Sequence, residues 1–440
     1  MIKRYYLLME TIISLWYTKI KYMYFKGKDM IIRNAKTYVN YGFELKDIYI
    51  IDGRIREISD IGMLDKYDAE TDEIIDASGL MAIPGLVDIH FHGAMGHDFC
   101  EVAELSESER ETVSEDLIKI GLEAMDEIAR FEASKGVLAI CPATMSYDEK
   151  RLEQVMDVAC IYAANPNKNS ADVVGINMEG PFINPQKAGA QNLEYIAKPD
   201  IDMYRRLQKR SNNMIKIVDI APEMELALDF ISKCHDEVNI SIAHSMADYD
   251  TAVQAFQNGA NHMTHLYNAM SGINHREPGP VIAALENNAN VELICDGVHV
   301  HPAMVRFTFN TFGADKVIMI SDSMMACGLS DGMYQLGGQD VEVKGELATL
   351  TNNPATIAGS VTHLYDCMKK AVLDMGVPIE EAIRAATENP AKAIGIDEDY
   401  GSLKAGCYGN VLLIDENFVI YKIIQKGRVI VANEKIAYNR

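Results

Sequence analysis

The sequence lacks the features that mark secreted and membrane-spanning proteins. Its eight cysteines form no CxxC pair and no short disulfide pattern, which fits a reducing cytosol better than secretion. The apolar run over residues 7–17 is interrupted by Glu10 and is too short to span a bilayer, and no small-residue cleavage site follows it. We therefore expect a cytoplasmic protein that does not bind membranes.

Positive charge is also scarce, with 41 Lys and Arg residues against 64 Asp and Glu residues and a formal net charge of -23. Such a charge repels polyanions, which argues against general binding of nucleic acid or of anionic membranes. An anionic small-molecule substrate would therefore need a local cationic pocket.

What the chain does have is length and apolar content. Its 440 residues are 48% hydrophobic, which suffices for a large core, and the length fits an α/β barrel with a smaller domain as well as three ordinary domains. Residues 1–29 are rich in Tyr, Lys and Ile, and a clean strand pattern begins only at Met30. We interpret residues 1–29 as an extension that is disordered or reflects an over-long start.

The two ends of the remaining chain resemble each other. Residues 30–82 and 395–440 both contain short strand patterns with no helix between them, and Asp52-Gly53 is a type I′ hairpin signal. We expect these two segments to form one small β-sandwich domain, with residues 83–394 inserted between them.

Residues 83–394 alternate strand-like and helix-like segments. Eight strands are predicted, at residues 85–92, 136–144, 172–179, 215–221, 238–244, 260–265, 291–296 and 316–322. Eight such repeats are typical of a closed parallel (β/α)8 barrel, in which the chemistry lies at the C-terminal ends of the strands. The predicted fold class is therefore α/β, a TIM barrel inserted in a small β-sandwich.

The predicted strands end in side chains that a barrel built only for stability would not gather on one rim. They are His90 and His92, Thr144, Glu179, His244, His265, Asp296 and Asp322. On the first strand, alternation points His90 and His92 to one face. A lone buried histidine is more often a satisfied core residue, but two on one face favour a metal or catalytic role.

Glu179, His244 and His265 are candidate ligands of one divalent cation. Two neutral imidazoles and a carboxylate suit Zn²⁺, Fe²⁺, Mn²⁺ or Co²⁺ and leave a coordination position for water. His262 cannot share a strand face with His265, and we expect it to pack or to support the site. Asp322 ends the eighth strand and is predicted to be the general base, the alternative being a carboxylate that pairs with a nearby cation.

The order HxH, Glu, His, His and Asp along the strands resembles the amidohydrolase superfamily. Within it, a further set of segments resembles the N-acetylglucosamine-6-phosphate deacetylases, over about residue 30 to the C-terminus. The segments are MEGPF (178–182), KAGAQ (187–191), THLYNAM (264–270), REPG (276–279), DGVH (296–299) and IAGS (357–360).

This resemblance implies roles for individual residues. Glu179, His244 and His265 would bind the catalytic metal, Zn or Fe first among the candidates, with Asp322 as acid/base and His299 assisting at the oxyanion. The sugar phosphate would be held by Ala190, Gln191, Asn268, Ala269, Arg276, His299, Ile357, Ala358 and Gly359. Gln191 departs from the histidine that some members carry. The family's arginine at the position of Arg276 reaches the neighbouring subunit's site, which implies a homodimer.

The implied reaction is hydrolysis of the N-acetyl group of N-acetylglucosamine 6-phosphate. Close alternatives are the deacetylase of the galactosamine epimer or another amidohydrolase. A catalytically silent binding protein on the same barrel is a further alternative, but it would be expected to have lost Asp322 or a ligand. His90 and His92 could hold a second metal, giving one or two per subunit, or be a relic that only hydrogen-bonds water.

Overall fold

The computed structural model describes residues 29–68, 71–105 and 116–432. All but one residue of the predicted extension, and residues 433–440 of the predicted sandwich, lie outside the described residues. The chain divides into two compact units, Met1–Pro84 with Ser402–Arg440, and Gly85–Gly401. Among the described residues, none of the helices combines the length and the apolar character needed to cross a bilayer.

The strands of the described residues are numbered here in chain order. They are β1 (Met30–Val39), β2 (Gly42–Ile51), β3 (Arg54–Ser59), β4 (Glu73–Asp76), β5 (Met81–Pro84), β6 (Leu86–Asp88), β7 (Gly93–Ala94), β8 (His97–Asp98), β9 (Val137–Ile140), β10 (Asp172–Val173), β11 (Ile176–Met178), β12 (Ile215–Ile220), β13 (Asn239–Ile242), β14 (His262–Met263), β15 (Asn290–Ile294), β16 (Val317–Ile320), β17 (Gly332–Leu336), β18 (Gln339–Lys344), β19 (Leu347–Leu350), β20 (Asn353–Ile357), β21 (Val411–Ile414), β22 (Ile420–Gln425) and β23 (Arg428–Ala432).

The α-helices of the described residues all belong to the larger unit. They are α1 (Glu101–Glu104), α2 (Leu117–Ser134), α3 (Glu149–Ala164), α4 (Ile201–Arg210), α5 (Ala227–Cys234), α6 (Tyr249–Gln257), α7 (Gly279–Glu286), α8 (Pro302–Phe312), α9 (Leu364–Leu373), α10 (Ile379–Ala386) and α11 (Glu388–Ala393).

The smaller unit is built on one sheet with strand order β23-β22-β21-β5-β1-β2-β3, with β4 beside β1. Pairing of β5 with β21 joins the two ends of the chain, as the fold prediction expected. The predicted Asp52-Gly53 turn links β2 to β3, and both residues have the positive φ, 49° and 78°, that a type I′ turn requires. Apolar residues of β1, β2 and β21, among them Ile32, Ile48 and Leu413, form its core.

The two units meet in sequence at slightly different positions from those predicted. The predicted boundaries follow residues 82 and 394, whereas the compact units divide after Pro84 and after Gly401. The first boundary moves because Ile83 and Pro84 pair with β21. The second moves because Ile394 and Tyr400 pack in one apolar cluster with Ile320 of β16.

The larger unit has the predicted α/β architecture of parallel strands and intervening helices. Strands β11 to β16 form one parallel sheet, and β6, β9 and β10 form another. An isolated parallel bridge from Ala143 to Asn177 links the two sheets on one side. On the other side, Asp322 N donates to His90 O at 2.9 Å, which joins the segments that follow β16 and β6.

Aspartates start several of the barrel helices. The side chain of Asp148 accepts a hydrogen bond from Arg151 N at the start of α3, and Asp200 and Asp248 cap α4 and α6 in the same way. Each carboxylate satisfies backbone N–H groups that have no partner within the helix. These caps fix where each helix begins after the strand before it.

Two features of the larger unit differ from the sequence prediction. Strand β6 ends at Asp88, so His90 and His92 lie in the irregular segment that follows it rather than within a strand. Residues 332–357, for which the sequence analysis predicts no strand, form an antiparallel sheet of β17 to β20. This sheet interrupts the alternation of strands and helices between β16 and α9.

Asn389 fixes helix α11 to the start of β16. Its side-chain Nδ2 donates to the carbonyl oxygens of Ala314 and Val317, both at 2.7 Å, and the residue is buried. Two buried hydrogen bonds contribute roughly 2 kcal/mol net. We expect Asn389→Ala to lower the melting temperature by about 2–4 °C in a calorimetric scan. Asn258→Ala, which removes one exposed hydrogen bond to Gln254 O, should have little effect, and equal shifts would contradict this role for Asn389.

Candidate metal centre

The structure gathers two groups of potential metal ligands. One consists of Glu179, His244 and His265, and the other of His90, His92 and Asp322, all of them buried. Within each group the ligand atoms lie within 4.8 Å of one another. The segments that carry these residues are far apart in sequence, so folding of the larger unit is what brings the residues together.

In the first group, three ligand atoms surround one point. Nε2 of His244 lies 2.8 Å from Glu179 Oε1, Nε2 of His265 lies 3.3 Å from the same oxygen, and the two nitrogens are 3.1 Å apart. Ligand atoms bound tetrahedrally at 2.0–2.2 Å from a Zn²⁺ ion are about 3.4 Å apart. The separations in this group are therefore close to those of a tetrahedral cation site.

The second group faces the other oxygen of the same carboxylate. His92 Nε2 lies 3.1 Å from Glu179 Oε2 and 3.4 Å from Asp322 Oδ1. His90 Nε2 lies 3.6 Å and 3.8 Å from these two oxygens. Glu179 therefore stands between the groups and presents one oxygen to each.

The second group fits a cation on grounds of hydrogen bonding and charge. Among the described residues, His90 Nε2 is buried without a hydrogen-bond partner. Burial alone would lower the pKa of His92, but hydrogen bonds with Asp322 and Glu179 raise it to about 10. The two carboxylates thus favour positive charge at the second ligand group. A divalent cation can supply this charge in place of the imidazole protons.

The backbone turns sharply where it delivers these side chains. His244 lies just after β13 and has φ 43°, His265 lies just after β14 and has φ 27°, and Asp322 lies just after β16 and has φ 49°. Non-glycine residues seldom adopt a positive φ, and clusters of them occur at functional sites. Here the turned backbone brings each side chain from a strand end into the shared site.

Backbone carbonyl groups orient two of the histidines. Nδ1 of His244 lies 2.7 Å from Lys187 O, and Nδ1 of His92 lies 3.3 Å from Ala143 O. Since a carbonyl oxygen only accepts hydrogen bonds, Nδ1 carries the proton in both rings. Nε2 is then the nitrogen whose lone pair faces the site.

Sequence reasoning missed one buried carboxylate beneath the site, Glu292 on β15. Its Oε2 lies 2.9 Å from His90 Nδ1 and 3.2 Å from His265 N, and its Oε1 lies 3.1 Å from His262 Nε2. His262 is in neither ligand group, in keeping with the supporting place expected for it. The signal for Glu292 was an acid inside the otherwise apolar run of residues 291–294.

His299 and Asp296 form a hydrogen-bonded pair beside the two ligand groups. Nδ1 of His299 donates to Asp296 Oδ2 at 2.7 Å, and Asp296 Oδ1 accepts from the backbone N–H groups of Val298 and His299. Burial opposes the charged ring, but the hydrogen bond to Asp296 raises the pKa of His299. Nε2 of His299 remains as the second donor of a charged ring.

A cavity of about 390 Å³ opens beside these groups. Its lining includes Glu179, His244, His265, Asp322, His299 and most of the residues predicted to hold substrate, namely Ala190, Gln191, Asn268, Ala269, Ile357 and Gly359. The volume is within the range of small-molecule sites. Residues 336 and 355–356, from the unpredicted sheet, complete the lining.

Two predicted substrate residues lie outside the cavity lining, and the side chain of a third, Gln191, is bonded to a neighbouring loop. Ala358 is fully buried and Arg276 is exposed, and neither is among the residues that line the cavity. Arg276 Nε lies 3.0 Å from His275 Nε2. Gln191 lines the cavity, but its Oε1 accepts a hydrogen bond from Ser146 N at 2.6 Å and so fastens two loops together.

Comparisons with known proteins identify the family of this chain. Residues 81–430 match the model of the Amidohydrolase family. N-acetylglucosamine-6-phosphate deacetylase of Bacillus subtilis (strain 168) is 30% identical over 406 residues, 91% of this chain and 96% of that protein. N-acetylgalactosamine-6-phosphate deacetylase of Escherichia coli O157:H7 is 30% identical over 348 residues, 79% of this chain and 86% of that protein.

Solved structures show the same likeness. A mutant of N-acetyl-D-glucosamine-6-phosphate deacetylase from Mycobacterium smegmatis, in complex with N-acetyl-D-glucosamine-6-phosphate, superposes with a TM-score of 0.80 and 26% identity. The superposition covers 92% of this chain and 100% of that one.

Proposed function

This chain belongs to the amidohydrolase family, and on that premise we propose that it hydrolyses N-acetylglucosamine 6-phosphate to glucosamine 6-phosphate and acetate. The observation that carries the proposal is the buried Glu179 carboxylate, which lies between four histidines and Asp322 at the edge of a cavity of about 390 Å³. The similarity to deacetylases of amino-sugar phosphates supports the substrate class.

A divalent cation would be held by Glu179, His244 and His265, with Zn²⁺ or Fe²⁺ as the first candidates. His90, His92 and Asp322 would hold a second cation, on the side faced by Glu179 Oε2. The chemistry supplied by a bound divalent cation is a lowered pKa of water and polarisation of the amide carbonyl group. The protein's own side chains do the rest.

Asp322 would move the proton. Burial alone would raise its pKa, but the hydrogen bond with His92 and the neighbouring imidazoles hold the pKa below its usual value. The carboxylate is therefore ionised at neutral pH and can accept a proton from the attacking water. It then returns this proton to the sugar nitrogen, because an amine anion is too poor a leaving group to depart.

His299 would stabilise the oxygen of the tetrahedral intermediate. Its Nδ1 is occupied by Asp296, and its raised pKa favours a ring that also carries a proton on Nε2. A donor aimed at a developing oxyanion strengthens as charge accumulates there. His299 is thus proposed as the second catalytic residue.

The sugar phosphate would be held by Ala190, Gln191, Asn268, Ala269 and the 357–359 segment. The phosphate of one subunit would be met by Arg276 of the neighbouring subunit in a homodimer. The exposed position of Arg276, outside the cavity of its own chain, is compatible with this arrangement. We also propose a cytoplasmic location, supported by eight cysteines that are all free.

The direct test of the substrate is acetate release from two epimers. We expect faster release from N-acetylglucosamine 6-phosphate than from N-acetylgalactosamine 6-phosphate, measured with the zinc-loaded and the iron-loaded protein. Because one relative of each type is 30% identical to this chain, the reverse preference would assign the galactosamine reaction instead. Failure to release acetate from either would refute the proposal.

Replacing Asp322 tests the proton transfer. Asp322→Asn keeps the shape of the side chain but cannot accept the proton, so kcat should fall on the order of 10²-fold or more. The metal content should be measured on the same preparation. A near-normal kcat in a metal-replete Asp322→Asn protein would rule out Asp322 as the acid/base.

Replacing Arg276 tests the phosphate contact. Arg276→Ala should raise KM for the 6-phosphate sugar far more than for the unphosphorylated N-acetyl sugar, because arginine binds phosphate oxygens through paired charge-assisted hydrogen bonds. Arg205→Ala, which removes an exposed arginine paired with Glu237, is the matched control and should change neither KM.

The contribution from a second subunit can be tested by mixing variants. Subunits with Arg276→Ala and subunits with Asp322→Asn should regain part of the activity when they are combined, since the heterodimer contains one intact composite site. No recovery, together with equal effects of Arg276→Ala on both sugars, would remove Arg276 from the phosphate site.

A further inference from the structure

We propose that Glu292 is a positioning residue that couples the two cation positions, by orienting His90 as a ligand of one and anchoring the backbone of His265, a ligand of the other. The inference deepens the proposed metal-dependent function and rests on it. Glu292 is completely buried on β15, so its side chain has no access to substrate or solvent.

The contacts of Glu292 Oε2 show that this oxygen accepts hydrogen bonds. The backbone N–H of His265, 3.2 Å away, can only donate, and His90 Nδ1 lies 2.9 Å from the same oxygen. A carboxylate oxygen that accepts from the backbone is also the natural acceptor for the ring proton. The Nδ1 proton of His90 is therefore held by Glu292.

This bond decides which nitrogen of His90 can bind a metal. A neutral imidazole carries one proton, so a proton on Nδ1 leaves the lone pair on Nε2. Nε2 is the atom that faces Glu179 Oε2 at 3.6 Å and Asp322 Oδ1 at 3.8 Å, and it is buried without a hydrogen-bond partner in the described part of the chain. Glu292, His90 and a cation would form a carboxylate–histidine–metal arrangement.

Glu292 differs from the groups that orient the other ligands. His92 and His244 bond through Nδ1 to backbone carbonyl groups, which no substitution removes. His265 Nδ1 is buried without a partner among the described residues, so this residue is fixed through its backbone N–H instead. One side chain thus serves a ligand from each group.

A purely structural role for Glu292 would act through its third contact, with His262. Glu292 Oε1 lies 3.1 Å from His262 Nε2, and both residues are fully buried. If the carboxylate only satisfied His262 in the barrel interior, the loss of either partner would affect folding and not the two cation positions selectively. The two roles therefore predict different metal binding.

The test is a double-mutant cycle on zinc affinity. Metal-free wild type, Glu292→Gln, His90→Asn and the double variant would be titrated with Zn²⁺ against a competing chelator, with circular dichroism as the check on folding. We expect wild type to bind two equivalents, and each single variant to bind its weaker equivalent about 10- to 100-fold less tightly. At this weaker equivalent the double variant should lose no more than the single variants, because both changes act there through the same ligand, His90. Only the variants that replace Glu292 should also weaken the tighter equivalent, because they remove the carboxylate that holds the backbone of His265.

Two further variants complete the test. His262→Gln keeps a donor toward Glu292 and should leave zinc affinity unchanged. Glu292→Asp keeps a carboxylate on a shorter side chain and should lose less affinity than Glu292→Gln; if the latter does not fold, the cycle is run with Glu292→Asp. Additive losses, an equal loss with His262→Gln, or a wild type that binds one equivalent would overturn the proposal. If the cycle behaves as expected but no acetate is released, the substrate assignment fails while the role of Glu292 stands.

Discussion

The whole site depends on one buried carboxylate, whose two oxygens face different groups of histidines. Glu179 Oε1 faces His244 and His265, and Oε2 faces His90 and His92. A buried carboxylate is costly unless positive charge or hydrogen bonds compensate it. The histidines around Glu179 supply that compensation, and this concentration of ligand groups makes the rim suited to a divalent cation.

The barrel makes such a concentration possible because the residues that stabilise the fold and the residues of the site occupy different parts of it. The strands carry fully buried apolar side chains such as Ile217, Ile294 and Ile320. The candidate ligands follow the strand ends, where the backbone turns. The interior is nevertheless not purely apolar. Glu292 and His262 lie on β15 and β14 and extend the polar network one layer below the rim, and of the two it is Glu292 that contacts a residue of each ligand group.

The sequence allowed candidate ligands to be predicted because several of them follow an apolar run, as Glu179, His244 and Asp322 do. It could not reveal the role of Glu292. The sequence pattern of an acidic residue within a strand is the same whether or not the acid contacts a histidine from a distant strand. The sheet of residues 332–357 was missed for a related reason. Local alternation indicates a strand, but only contacts distant in sequence show that the sheet lines the cavity. The sequence likewise could not show that Arg276 is exposed and lies outside the cavity lining of its own chain.

The pairing of β5 with β21 has a consequence for how the chain is made. The ribosome synthesises a chain from its N-terminus to its C-terminus. Strand β5 (Met81–Pro84) is therefore made more than three hundred residues before its partner, β21 (Val411–Ile414). During that interval one edge of the first sheet strands has no native neighbour, and open strand edges invite pairing with other chains. Nascent chains of this protein are therefore exposed to misassembly at β5 until β21 emerges, even if the barrel residues have already folded.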